Sequence, residues 1–400
     1  MSIISDRLKA VNPSQTLVIS AKARALKAQG KDVISLSAGE PDFNTPENIG
    51  RAGINAIQAG QTKYTDVGGT MELRQAVANR INQDSGTDYK AEEIIVSNGG
   101  KQVIYNAMMA SLNPGDEVII PAPCWVSYPD IVTLAGGNSV IVPCGVESGF
   151  KLTATKLKAA ITPKTKWLIL NSPCNPTGVA YSPEELRALC DVLLDHPNVW
   201  ILTDDIYNKL VYNDFICQTI VQVEPGLRDR TVTMNGVSKA YAMTGWRIGY
   251  SAAPVELTKA MSKLQGQSTS NPCSISQAAA LEAVAGPQDS IKQMVAIYQK
   301  RRDIVVSMLN QAPGLECITP QGAFYAFPSI KGCLGKTTKA GVKIVNDEAF
   351  VTALLEETGV AAVHGAAFMM EGFFRVSYAT ATETVKEACT RIQHFCMNLS

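Results

Sequence analysis

Between about residues 45 and 255 the chain alternates short, unbroken apolar runs with longer amphipathic stretches. The runs are E-E-I-I-V-S-N, E-V-I-I-P, S-V-I-V-P, K-W-L-I-L-N, V-W-I-L-T-D and R-T-V-T-M-N. Each is short, rich in β-branched residues and bounded by turn or helix signals. Continuous rather than alternating apolar character predicts strands buried on both faces. Helical stretches between them, such as V-I-Y-N-A-M-M-A-S-L, predict crossover connections and a mainly parallel sheet. N-P-G-D reads as a turn. Thr45-Pro46-Glu47 reads as an N-cap, a proline at the first helical position and a first-turn acid, with Gly60 as the stop. Beyond about residue 255 the pattern turns helical, including Gln293 to Asn310. The last 80 or so residues mix short strands (A-F-Y-A-F, F-R-V-S-Y) with helices, as a small α+β domain does. The predicted fold is α/β: an N-terminal arm and part of the small domain over 1–45, a large domain over 46–310, and a small C-terminal domain over 311–400.

In such a sheet, chemistry belongs at the C-terminal strand ends. The polar residues gather there: Asn98-Gly99-Gly100-Lys101, Asn171 to Pro176, Asp204-Asp205-Ile206-Tyr207 and Ser238-Lys239. Lys239 opens the segment S-K-A-Y-A-M-T-G-W-R-I-G-Y, with Arg247 eight residues on. An amine among small and aromatic residues suits Schiff-base chemistry with a carbonyl cofactor, and a guanidinium suits its phosphate. Alone, the pair reads as a surface lysine and a structural arginine. Asp204 closes an apolar strand, where a carboxylate can keep a pyridine nitrogen protonated or can simply cap a helix. Its neighbour Asp205 competes for the role, and the D-x-x-Y spacing to Tyr207 selects Asp204. Asn175 and Tyr207 can hydrogen-bond a ring oxygen, and the turn N-P-T-G does not conflict with that. Gly99 and Gly100 permit close approach of a phosphate to a helix N-terminus. Trp125 is a core residue or a stacking surface for a flat ring. Arg375, a charge inside an apolar strand, requires an anionic partner from the protein or from a substrate.

Charge and cysteine usage narrow the classes. Lysine plus arginine and aspartate plus glutamate both total 36, so no basic block points to nucleic acid or a membrane surface. The ten cysteines stand singly with no C-x-x-C, and the three histidines lie far apart, which argues against zinc and for reduced thiols in a cytoplasmic setting. The first ten residues lack a signal-peptide core, and no run of about 18 apolar residues occurs.

Together these motifs, in order and spacing, resemble the class I, fold-type I pyridoxal-phosphate aminotransferases, and most of all their bacterial-type aspartate aminotransferase subgroup. The resemblance runs from S-L-S-A-G-E-P-D-F to F-R-V-S-Y-A-T. It implies Lys239 as Schiff-base lysine and proton shuttle, Asp204 as pyridinium partner, and Asn175 and Tyr207 on the ring oxygen. It implies Trp125 as the stacking aromatic, and Gly100, Lys101, Ser238 and Arg247 around the phosphate. Tyr64, in K-Y-T-D-V-G-G, resembles a tyrosine reaching the neighbouring subunit's phosphate, which implies a homodimer with shared sites. Arg375 resembles the clamp for the substrate α-carboxylate, over which Gly39 closes. Lys101, Ser14 and Thr16 resemble residues near the distal carboxylate. The implied reaction is reversible, ping-pong transfer of the amino group from L-aspartate to 2-oxoglutarate. Aromatic or prephenate transamination, or β-lyase chemistry, is the alternative. Relatives with lysine just before P-S accept prephenate, whereas this chain has Asn12. Another departure is Gly236, where the family often has a phosphate-binding serine, leaving that contact to water or Ser238. A nicotinamide dehydrogenase is disfavoured because no G-x-G-x-x-G follows the first strand. A non-catalytic module is disfavoured by the intact Lys239, Asp204 and Arg375.

Overall fold

Continuous apolar runs become strands covered on both sides because alternate side chains point to opposite faces. A computed structural model describes residues 3–11, 13 and 15–400, the side chains of 15–17 excepted. In chain order its strands are β1 (Ile34–Ser35), β2 (Ile94–Ser97), β3 (Glu117–Ala122), β4 (Asn138–Pro143), β5 (Thr165–Asn171) and β6 (Trp200–Asp204). They continue with β7 (Thr231–Gly236), β8 (Gly249–Ala252), β9 (Tyr325–Ala326), β10 (Val360–Ala361), β11 (Val363–His364) and β12 (Phe374–Ser377). Seven form one sheet in the order β2-β8-β7-β6-β5-β3-β4. All its pairings are parallel except the two made by β8.

Val118, Ile120, Trp167 and Ile169 face one side, where Val103, Ile104 and Met108 of the Gly100–Ser111 helix cover them. Ile119, Leu168, Leu170 and Ile201 face the other, against Leu186, Leu189 and Leu193 of the Pro183–Leu194 helix. That second helix starts at a capping box, Ser182 bonding the Glu185 N–H while Glu185 reaches back, with Pro183 in the first turn. Each such leucine contributes about 1.5–3 kcal/mol by burial. The two helices clamp the sheet so that its C-terminal edge stays open for chemistry.

Two smaller sheets complete the chain. β1 pairs in parallel with β10, and β11-β12-β9 is antiparallel. Phe350, Leu354, Phe374, Val376 and Phe395 pack these strands against the Asp347–Thr358 and Thr382–Met397 helices. The Gln15–Ala28 helix docks there through Ala23, against Leu355 and Ala361.

The cap expected at Thr45 is not formed. Pro46 itself occupies the N-cap of the Glu47–Gln58 helix, with no side-chain cap. The Thr45 hydroxyl instead donates to the Ala242 carbonyl at 2.8 Å and accepts from the Trp246 indole at 3.0 Å. A tertiary tie to the segment after Lys239 outweighs the local cap. Gly60 does follow the helix end, at φ +69°. No described helix is long and apolar enough to cross a membrane.

Candidate active site

The strand ends of the large sheet, the β1 segment and β12 enclose a cavity of about 500 Å³. It is lined by Gly39, Gly100, Lys101, Trp125, Asn175, Asp204, Tyr207, Ser238, Lys239, Arg247 and Arg375, so eleven residues singled out from sequence share one cavity. Tyr64 lies elsewhere on the chain and is 91% exposed. Ser14 and Asn12 fall outside the described residues, as does the side chain of Thr16.

Lys239 follows β7 on a tight loop, and its Nζ donates to the Gly39 carbonyl. Desolvation in the cavity, and next the charge of Arg375, lowers its amine to about 8. A substantial neutral fraction at physiological pH suits both a nucleophile and a proton acceptor.

Asp204 ends β6 and is 4% exposed. Its Oδ2 accepts from the Tyr128 hydroxyl at 2.6 Å and its Oδ1 from the Ile206 N–H at 3.2 Å. Burial raises its carboxyl to about 6 against the opposing pull of those bonds. A cation placed beside it would hold it ionised.

Strand alternation turns Asp205 the other way, where the Thr203 hydroxyl donates to it at 2.6 Å. Burial raises Asp205 to about 7. Because the folded-state value lies above the ordinary 3.8, the folded chain holds this proton more tightly than the unfolded chain. Its ionisation therefore costs stability in full above pH about 7, and the cost fades as pH falls toward 4. Asp205→Asn is expected to raise stability at pH 8 by on the order of 1–3 kcal/mol and to lose that advantage near pH 4. Thermal melts at both pH values check this; a gain confined to pH 4 would contradict it.

Arg375, in β12, is 2% exposed. Its Nη1 donates to Asn175 Oδ1 at 2.9 Å and its Nη2 to the Ser37 carbonyl at 2.6 Å. The guanidinium lies over the rings of Tyr325 and Phe368, 4.5 and 5.0 Å from their centroids. Its Nε has no partner, and no carboxylate pairs with it among the described residues. Asn175 is itself fixed by its N–H donating to Asn171 Oδ1 at 2.8 Å. The Tyr207 and Tyr325 hydroxyls are 2.8 Å apart.

Arg247 and the start of the Gly100–Ser111 helix line another part of the cavity. Arg247 adopts φ +55° and donates from Nη1 to the Thr244 carbonyl at 3.0 Å. Gly99, at φ +91°, admits it: a Cβ there would lie 2.3 Å from Arg247 Nη2. The free N–H groups of a first helical turn and a guanidinium make an anion cradle. Gly236 also has a packing reason, since a Cβ on it would sit 3.0 Å from the Ile248 carbonyl and 3.1 Å from Gly249 Cα. The β7–β8 pairing leaves little room for a serine there, and Ser238 stays on the cavity wall. Lys101 Nζ stands 4.9 Å from the Trp125 ring centroid. Partial desolvation and then the Arg247 charge lower its amine below the ordinary lysine value.

Sequence reasoning missed Tyr128, Tyr325 and Ser37. The first two read as core aromatics, and nothing local marks their hydroxyl partners 76 and 118 residues away. Ser37 acts through its backbone carbonyl, which leaves no side-chain signal.

A buried arginine with no acid beside it among the described residues, a guanidinium at a helix N-terminus, a lysine of lowered basicity and a buried carboxylate suit a phosphorylated carbonyl cofactor and a carboxylate substrate. Residues 31–392 match the aminotransferase class I and II family, to which the chain belongs. This family is pyridoxal-phosphate dependent, and the fold, cofactor and aminotransferase class read from sequence are borne out. An aspartate/prephenate aminotransferase of Cereibacter sphaeroides is 60% identical over 400 residues, covering 100% of both chains. An aspartate aminotransferase of Rhizobium meliloti is 52% identical over 396 residues, 99% of this chain and 97% of that one. The crystal structure of the Rhizobium meliloti aspartate aminotransferase superposes with a TM-score of 0.97 at 52% identity over 100% of both chains. Thermus thermophilus aspartate aminotransferase with maleate gives 0.91 at 39% identity, over 99% of this chain and 100% of that one.

Proposed function

We propose that the protein is an aspartate aminotransferase, exchanging the amino group of L-aspartate with 2-oxoglutarate by a reversible two-stage reaction. The observation that carries this reading is the buried, acid-free Arg375 facing the same cavity as Lys239 and Asp204. The residues fit pyridoxal phosphate: Arg247, Ser238 and the first turn at Gly100 for phosphate, Asp204 for the ring nitrogen, Trp125 for the ring face, and Asn175 and Tyr207 for the ring oxygen. Bound there, the cofactor supplies a carbonyl that takes up the amino group and a protonated ring that accepts electrons from the substrate α-carbon.

The chain's own groups do the rest. Arg375 takes the substrate α-carboxylate in a bidentate fork and fixes the orientation of the α-carbon. Lys239 removes the α-proton and returns one to the neighbouring carbon, a role its lowered basicity fits. Lys101 reads the distal carboxylate. Gly39 closes over the substrate with the β1 segment and excludes water. Exposed Tyr64 reaches the phosphate of a second copy, making a homodimer with shared sites; large exposed aromatics commonly mark interfaces.

Support for a dicarboxylic substrate comes from relatives: two are named for aspartate, and the Thermus enzyme was crystallised with maleate, a four-carbon dicarboxylate. The first relative's name also favours prephenate as a second acceptor. Lys101→Ser tests the substrate reading. It is expected to raise KM for aspartate about tenfold or more and KM for alanine less than about threefold, as expected for losing one charge-assisted contact. Equal losses would remove Lys101 from the distal site. Assay of the wild type with oxaloacetate, 2-oxoglutarate and prephenate as acceptors separates the two readings.

A further inference from the structure

The cavity wall carries five cationic side chains, Arg24, Lys101, Lys239, Arg247 and Arg375, against two carboxylates, Glu40 and Asp204. Neither carboxylate forms an ion pair with them among the described residues. Asp204 is turned to Tyr128 and Ile206, and Glu40 accepts from the Thr244 hydroxyl. On the reading above, four cations have work: Lys239 at the reacting carbon, Arg247 at phosphate, Arg375 at the α-carboxylate and Lys101 at the side-chain carboxylate of aspartate. Arg24 has none.

Its position is specific. Arg24 stands one turn beyond Ser20 on the Gln15–Ala28 helix, so both lie on the face turned to the cavity. Ser20 Oγ is 3.0 Å from Ser37 Oγ, and the Ser37 carbonyl accepts from Arg375 Nη2 at 2.6 Å. Arg24, an exposed residue, thus stands on a helix tied through Ser20 and Ser37 to Arg375, whereas Lys101 lies against Trp125. Lys22, on the same helix, points away and pairs with Glu356 at 3.3 Å. Arg24 makes no ion pair or hydrogen bond among the described residues. A substrate held by its α-carboxylate at Arg375 presents a second carboxylate farther out as its chain lengthens. A long side chain ending in a planar fork is suited to meet it there.

Resting on the aminotransferase reading, we propose that Arg24 binds the side-chain carboxylate of dicarboxylic amino and 2-oxo acids longer than aspartate, the five-carbon class first, while Lys101 serves the four-carbon class. The test is a spectral titration of the holoenzyme with two unreactive saturated dicarboxylates, succinate (four carbons) and glutarate (five), in wild type, Arg24→Ala and Arg24→Lys. Arg24→Ala is expected to raise the glutarate Kd about tenfold and the succinate Kd several-fold less, with Arg24→Lys in between. The ratio of KM for glutamate to KM for aspartate is expected to rise in parallel. Equal weakening of both acids, or no weakening of either, would overturn the proposal. A wild-type protein that responds to amino donors while Arg24→Ala leaves the ratio intact would sink this inference alone. A wild-type protein that responds to no amino donor would sink it together with the aminotransferase reading.

Discussion

Replacing Lys239 by alanine is expected to lower kcat for aspartate by about 10⁴-fold or more, because one group supplies both the nucleophilic amine and the proton shuttle. The fold should survive. Among the described residues the Lys239 amine makes one hydrogen bond, to the Gly39 carbonyl, and its burial already works against its charge. Circular dichroism and melting temperature should therefore stay close to wild type. A variant that turns over normally would remove Lys239 from the mechanism. A variant that fails to fold would leave Lys239→Arg as the companion: it keeps a cation and a donor while its pKa stays too high for proton abstraction. Activity in Lys239→Arg near that of wild type would equally count against the assignment.

The second large effect is expected at Asp204. Removing its carboxylate with Asp204→Ala strips the ring nitrogen of its anionic partner, at a cost of about 3–5 kcal/mol or roughly 10²–10⁴-fold in kcat. It also leaves the buried Tyr128 hydroxyl without its acceptor, a loss of about 1–3 kcal/mol of stability. Asp204→Asn separates the two effects, since its amide oxygen still accepts from Tyr128 while the charge is gone. It should retain most stability and little activity. Asp205→Asn, one residue along but on the opposite face, is expected to change the pH dependence of stability and leave kcat close to that of wild type, since its side chain turns away from the cavity to Thr203. If Asp205→Asn were the inactive variant and Asp204→Asn the active one, the assignment of the two acids would be reversed.

Much of this site was legible in the chain because its parts sit where pattern and chemistry coincide. Apolar runs set the strands, and the residues at the end of β6 and just after β2, β5 and β7 inherit a position at the open edge of the sheet. That is why Lys101, Asn175, Asp204 and Lys239 converge, although 138 positions separate the first from the last. The choice of Asp204 over Asp205 came from the D-x-x-Y spacing to Tyr207, and strand alternation turns Asp205 away from the cavity. What stayed hidden depends on contacts that sequence does not encode locally. Tyr128 and Tyr325 look like core aromatics until their hydroxyls meet Asp204 and Tyr207. Ser37 contributes only a carbonyl, and Arg24 carries no motif beyond its place on an amphipathic helix. The misread cap at Thr45 has the same origin, because its hydroxyl serves residues 197 and 201 positions away.

The most direct measurement is the visible absorption spectrum of the purified, cofactor-loaded protein before and after addition of L-aspartate. A yellow protein whose long-wavelength band falls as a shorter-wavelength band of the aminated cofactor rises, and recovers on adding 2-oxoglutarate, is the expected result. A spectrum indifferent to aspartate, with no recovery by 2-oxoglutarate, would contradict the assignment of Lys239, Asp204 and Arg375 to aspartate transamination.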